Sequence, residues 1–128
     1  MRLLLDTHTF LRWVWDDKAL SKVARAAIAN PENECLLSVA SAWELAIKIS
    51  LGKLELGVSL DRFLPEQLAA NQTQLLPVSL AHTLGVASLP WHHRDPFDRL
   101  LIAQCRADGL TLVSADAALR AYGVDLIR

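Results

Sequence analysis

The chain has 128 residues, 52% of them hydrophobic, with 13 Lys and Arg against 14 Asp and Glu and a net charge of −1. That length predicts one domain, residues 1–128, around a single core, and a mean hydropathy of +0.25 excludes disorder, which needs few apolar residues and high net charge. The charge balance excludes bulk electrostatic coating of nucleic acid, but not an enzyme that acts on it through local charge or a bound metal.

Taken in chain order, RLLL (Arg2 to Leu5) is a short apolar run that predicts a buried strand. Asp6 stops it far too early for a signal-peptide core,. No later apolar run approaches the roughly 20 residues that span a bilayer, so a cytoplasmic protein without membrane contact is expected. Phe10, Leu11 and Val14 recur at helical spacing and predict a helix over Thr7 to Val14. Within it Trp13 and Trp15 bracket Val14 and cannot both face one core, so one of them is a candidate for a partner-binding or dimer face. A second helix is expected from Ser21 to Ala29, ended near Pro31, followed by a buried strand CLLS from Cys35 to Ser38,. Val39 to Leu51 is predicted helical, with Val39, Trp43, Ile47 and Ser50 on one face and Gly52 as its stop,.

Ser59 is placed to cap a helix from Leu60 to Asn71, with Pro65 expected to kink or break it,. LLPVS (Leu75 to Ser79) predicts a short edge strand, because Pro77 has no backbone donor,. A short helix over Leu80 to Ala87 precedes WHHRDPFDRLL (Trp91 to Leu101), which opens a helix from Pro96 to Ala107 with Gly109 behind it. TLVS (Thr111 to Ser114), a helix over Asp116 to Tyr122 and a strand VDLI (Val124 to Ile127) complete the chain. The two cysteines, Cys35 and Cys105, lack the spacing of a metal ribbon,, and Cys105 falls in an apolar helical pattern as core filler. Strands alternating with helices predict an α/β fold, a central, mostly parallel sheet flanked by helices on both faces. Sites in such sheets lie at the carboxyl ends of strands, near a topological switch point.

Acidic residues follow these strands. Asp6 comes directly after RLLL, Asp116 two residues after TLVS, and Glu44 in the second turn of the helix after CLLS; Asp95 and Asp98 open the helix that feeds TLVS. Each also has a purely structural reading. Asp6, Asp95 and Asp116 are placed as helix caps, and Glu44 stands four residues before Lys48, a helix-surface pair. Asp98 differs, because Ile102 and Cys105 share its face, and a carboxylate at the head of an apolar stripe needs a cation or dense hydrogen bonding. Several carboxylates driven together raise one another's pKa unless a metal neutralises them, and all-oxygen ligands suit Mg²⁺ or Mn²⁺. That chemistry points to metal-assisted phosphodiester hydrolysis. No G-x-S-x-G, P-loop or G-x-G-x-x-G is present,.

The blocks LLLDTH (Leu3 to His8), SVASAWELAIKISLGKL (Ser38 to Leu54) and HHRDPFDRLLIAQC…LTLVSAD (His92 to Asp116) resemble, over nearly the whole chain, the PIN-domain ribonucleases, specifically the VapC-type toxins of toxin–antitoxin pairs. The resemblance implies a single PIN domain and a metal-binding quartet of Asp6, Glu44, Asp98 and Asp116. Ser114 is implied as a helper that orients the attacking water, with Thr7 as a second supporting residue. Asp95, in the D-P-F-D form, either caps the helix or reaches the metal. It further implies an RNA substrate, a cognate antitoxin lying in a groove near the acids, and a homodimer. Arg94, Arg99 and His93 adjoin the acids and are candidates for RNA or phosphate contact, against plain solvation at a helix start; zinc does not fit adjacent histidines lacking HxxxH spacing. A non-catalytic RNA- or protein-binding module on the same fold is the alternative, and a metal-dependent small-molecule phosphatase a further one. A receiver-like phosphoacceptor would need an acidic pair after the first strand and a late lysine, whereas no lysine follows Lys53.

Overall fold

The computed structural model describes residues 1–128. Five strands, β1 (Arg2–Leu5), β2 (Glu34–Ser38), β3 (Thr73–Leu76), β4 (Thr111–Val113) and β5 (Leu126–Ile127), form one sheet in the order β3-β2-β1-β4-β5. Every neighbouring pair is parallel. Six α-helices alternate with them: α1 (Thr7–Val14), α2 (Lys22–Ala29), α3 (Val39–Ser50), α4 (Leu60–Ala70), α5 (Leu80–Val86) and α6 (Pro96–Asp108). A 3₁₀ helix, Ala117–Tyr122, follows β4.

The pleat divides the core in two. Leu3, Leu5, Leu37 and Val113 pack with Phe10, Leu11, Ala24, Ile28, Leu45 and Phe63 on one face of the sheet. Leu4, Leu36 and Leu112 point the other way, onto Leu101, Ile102, Cys105 and Tyr122. Successive strand residues face opposite sides, so a strand that reads as a continuous apolar run is one with helices over both faces, as expected. Both cysteines are free and buried. Burial pushes both thiols up, Cys105 to about 12, so neither offers a thiolate,.

Three sequence expectations need correction. The third strand lies at an edge, but it covers Thr73–Leu76 rather than Leu75 to Ser79; Pro77, with no N–H, ends the ladder instead of sitting inside it. The fifth strand is only Leu126–Ile127, because Gly123, in the left-handed conformation, closes the 3₁₀ helix and the chain needs Val124 and Asp125 to return to the sheet,. Helix α4 continues through Pro65. Phe63 and Leu68 are buried on either side of it, and that packing outweighs one lost backbone bond. Ser59 occupies its cap position without a side-chain bond. Helix α3 is found as expected, and it buries Ala40, Ser41 and Leu45. Val39 is exposed and Trp43 is 61% exposed; the helix is apolar nearly all round, so spacing alone does not choose its inner face.

Candidate active site

The order β3-β2-β1-β4-β5 turns at β1: β2 and β3 extend to one side, β4 and β5 to the other. The crevice between the carboxyl ends of β1 and β4 is therefore the switch point. Asp6 stands at its centre. Its backbone N–H donates to the Val113 carbonyl at 3.1 Å, continuing the β1–β4 pairing. Its side chain turns to cap α1, Oδ1 accepting the Thr9 N–H at 2.8 Å. The residue is only 7% exposed, yet the cap occupies one carboxylate oxygen and leaves the second.

Glu44 joins this crevice from α3. Thr7, the first residue of α1, donates its hydroxyl to Glu44 Oε1 at 2.6 Å, and Lys48 Nζ lies 3.1 Å from Oε2. The i,i+4 pairing with Lys48 is thus present together with a tie to the residue beside Asp6, and both carboxylate oxygens are engaged.

Asp98 arrives on α6. Asp95 is the N-cap, Oδ1 accepting the Asp98 N–H at 3.0 Å, and Pro96 occupies the first turn, where its missing N–H costs nothing. That entry directs the Asp98 side chain inward, 26% exposed. Its carboxyl is raised from 3.8 to about 6, first by burial, then by the charges of Asp95 and Asp6, with His93 pulling the other way. Three carboxylates therefore feel one another at this edge.

Asp116 stands apart from that trio. It is exposed and caps the 3₁₀ helix through Ala118 N–H at 3.0 Å, while its own N–H donates to Ser114 Oγ at 3.2 Å. It flanks the crevice from β4, and neither its charge nor that of Glu44 is among those that shift Asp98. No group of three or more His, Cys, Asp or Glu side chains stands close enough to hold an ion as arranged. Uncompensated carboxylates repel, and each of these is held by a cap or a neighbour. The donor types nevertheless suit a hard divalent ion, being carboxylate oxygens beside hydroxyls, and the raised pKa of Asp98 marks charge that such an ion would neutralise.

Two residues behave differently from expectation. Arg99 is 3% exposed and neither solvated nor open to a phosphate. Its guanidinium donates to the carbonyls of Pro90 at 2.8 Å and Leu89 at 3.3 Å and to the Tyr122 hydroxyl at 3.2 Å, and it stacks over Trp91 at 3.9 Å. It pins the loop before α6. His93 is likewise turned inward, away from an RNA rim. Its Nδ1 lies 2.6 Å from the Tyr122 hydroxyl, whose oxygen already accepts from Arg99 and from the His93 backbone N–H. The phenol proton is thus the one left for Nδ1, which puts the imidazole proton on Nε2. Nε2 faces Asp98 Oδ2 at 3.4 Å, long for a hydrogen bond,. Tyr122 comes from an element that no local spacing relates to His93, so sequence gave no signal of this chain of contacts. Arg94 remains exposed with no ion-pair partner. Trp13 and Trp15 do part ways: Trp13 packs against the core and donates to Asn71 Oδ1 at 3.0 Å, and Trp15 is exposed.

Comparison with known proteins agrees with this architecture. The family model described as PIN domain matches residues 3–125. Ribonuclease VapC22 of Mycobacterium tuberculosis (strain ATCC 25618 / H37Rv) is 29% identical over 120 residues, covering 94% of this chain and 91% of that protein. Ribonuclease VapC16 of the same strain is 41% identical over 59 residues, 46% of this chain and 42% of that protein, so this match spans less than half of its length. Among solved structures, VapBC2 from Rickettsia felis, bound to a DNA fragment from their promoter, superposes with a TM-score of 0.72 at 15% identity over 99% of this chain and 98% of that one. FitAcB from Neisseria gonorrhoeae gives 0.65 at 17% identity over 98% and 96%. At those identities the likeness is one of fold. No helix is long and apolar enough to cross a membrane.

Proposed function

Because this chain belongs to the PIN domain family, we propose that it is an endoribonuclease that uses Mg²⁺ or Mn²⁺ to hydrolyse RNA, and the toxin of a toxin–antitoxin pair. The observation that carries the reading is the crowding of Asp6, Asp95 and Asp98 at the switch point, where the His93 imidazole is the one neighbour that pulls the Asp98 carboxyl the other way. The names of the two ribonuclease relatives support the reaction type.

In this reading Asp6, Glu44, Asp98 and Asp116 hold the metal. When bound, the ion supplies an activated water and stabilises charge on the scissile phosphate and leaving oxygen. The chain's own residues do the positioning. Asp6 is fixed by the Thr9 N–H, Glu44 by the Thr7 hydroxyl, and Asp98 by the entry that Asp95 and Pro96 give α6. Lys48 neutralises Glu44 in this arrangement, and that carboxylate would be available to a bound ion in exchange for the lysine. Ser114, buried beside Asp116, orients the attacking water, and Arg94, exposed at the rim, contacts phosphate. Asp95 acts as the helix cap, and its variants test a metal contact besides.

The partner is a cognate antitoxin whose segment approaches the acids, and the working form is a cytoplasmic homodimer. Leu80 and Leu84, exposed one turn apart on α5, are an apolar stripe consistent with self-association. Purified protein should cleave RNA with Mg²⁺ or Mn²⁺, and EDTA or Asp6→Asn should abolish cleavage; undiminished activity in Asp6→Asn overturns the assigned site. Induction should arrest growth, with rescue by the small neighbouring open reading frame and no arrest by Asp98→Asn. Well-folded protein that causes no arrest overturns the toxin role.

A further inference from the structure

An acidic centre repels the polyanion it cuts, and with a net charge of −1 the chain needs local cations to hold RNA beside it. Of the cations nearest the acids, Lys48 pairs with Glu44 and Arg99 is locked among carbonyls, which leaves Arg94 alone at the α6 rim. Across the crevice the situation differs. A cleft between α1, the segment entering α2 and the end of β4 is lined half by hydrophobic residues, with Thr9, Arg12, Ser21, Ser114 and Arg128 as its polar side chains. Thr9 and Arg12 share one face of α1, three residues apart. The carboxylates beside Arg12 are engaged elsewhere, Asp16 by Arg25 and Asp17 by the Ala19 N–H at 2.8 Å. Arg12 has no ion-pair partner. Arg128 is anchored through Nε to the Ala115 carbonyl at 3.3 Å, and its own carbonyl oxygen accepts from the Ser21 hydroxyl at 2.6 Å, while its terminal guanidinium nitrogens have no hydrogen-bond partner.

We propose that Arg12 and Arg128 form a phosphate-binding subsite for the RNA backbone, next to the acidic centre and on the β4 side of it. Two of the residues that line the cleft are hydrogen-bonded to acids of that centre. The Thr9 N–H holds Asp6 Oδ1, and Ser114 Oγ accepts from Asp116. Arg12 follows Asp6 by six residues, about 9 Å along the helix axis at ~1.5 Å per residue, the order of one to two nucleotide steps. A strand whose scissile phosphate lies at Asp6 thus presents a flanking phosphate to two guanidiniums, whose planar forks suit its oxygens. Such contacts fix the register of the strand and carry no base sequence.

This inference rests on the RNA reading, and the test separates the two. Binding of a short single-stranded 2′-O-methyl RNA to the full chain is followed by fluorescence anisotropy across a salt series. Variants are Arg12→Ala, Arg128→Ala, the pair together, and Arg106→Ala, an exposed arginine in the last turn of α6, as control. Each subsite variant should weaken binding to all base sequences alike and lower the log–log salt slope by about 0.7, the double variant by about 1.4; Arg106→Ala should leave the slope unchanged. Arg12→Lys should keep most of the slope, which separates lost charge from lost fold, and circular dichroism melting checks the latter. Wild-type binding with an unchanged slope in the double variant overturns the subsite alone. The same holds if the double variant loses only its affinity for an acidic protein partner. Absence of RNA binding and cleavage by the wild type overturns the subsite together with the RNA reading.

Discussion

Asp98 carries the sharpest consequence at the scale of a single side chain. Its carboxyl is raised to about 6 by burial, then by Asp95 and Asp6, against the pull of His93. A native pKa above the unfolded value means that the folded chain binds the proton more tightly between roughly pH 4 and 6. The stability contribution is therefore fully present below about pH 4 and is lost as pH rises through about 6. In metal-free protein, Asp98→Asn should melt higher than wild type near pH ~8, with the gap closing toward pH ~4. Calorimetry over a pH series measures this; parallel curves for the two proteins would contradict it. The acid itself was legible in sequence, because an Asp at the head of an Ile102–Cys105 stripe must turn inward. His93 was not, since its inward turn depends on Tyr122, 29 residues away, and no local periodicity encodes that contact.

Helix α6 shows where element-scale reading succeeds and where it stops. D-P-F-D predicted a cap, a proline in the first turn and an acid beyond it, and that is the geometry found. Asp95→Ala should cost about 1 kcal/mol by loss of the cap, and Asp95→Asn almost nothing, because asparagine caps equally well. Urea denaturation gives the stabilities, and RNA cleavage by Asp95→Asn then separates cap from metal ligand. Activity near wild type confines Asp95 to the cap, whereas a loss with intact stability assigns it to the ion. Arg99, the next residue after Asp98, defeated the same reasoning. Its environment comes from the non-periodic stretch of Leu89 and Pro90, so burial follows from tertiary structure and not from helix position. Arg99→Ala should destabilise by about 3 kcal/mol, the scale of a buried charge-assisted bond and its orphaned acceptors. Arg99→Lys should recover little, since one ammonium cannot span the carbonyls that the guanidinium fork reaches. Denaturant midpoints decide; near-complete rescue by lysine would show that charge alone matters.

Across the whole molecule, alternation of strand and helix was enough to predict a parallel sheet, while the strand order was beyond it. Order depends on which connection crosses which face, and β1 becomes central through pairings with both β2 and β4 that lie far apart in sequence. That order matters to function because it sets Asp6 and the β4 end on opposite lips of one crevice and brings α6 over it. The carboxylates are held at mutual electrostatic cost, so an ion that binds only the folded arrangement should stabilise it, by about 2.7 kcal/mol at one hundred times its dissociation constant. Thermal melting of wild type should therefore rise with added Mn²⁺ or Mg²⁺, and the rise should disappear in Asp6→Asn and Asp98→Asn even though the latter starts out more stable at neutral pH. Both halves of that pattern are needed. A variant that is more stable without metal but deaf to it has lost repulsion and binding together, which is the signature of a site whose strain is relieved by its ion. Equal metal-induced shifts in all three proteins would instead locate ion binding elsewhere and detach the acidic crevice from catalysis.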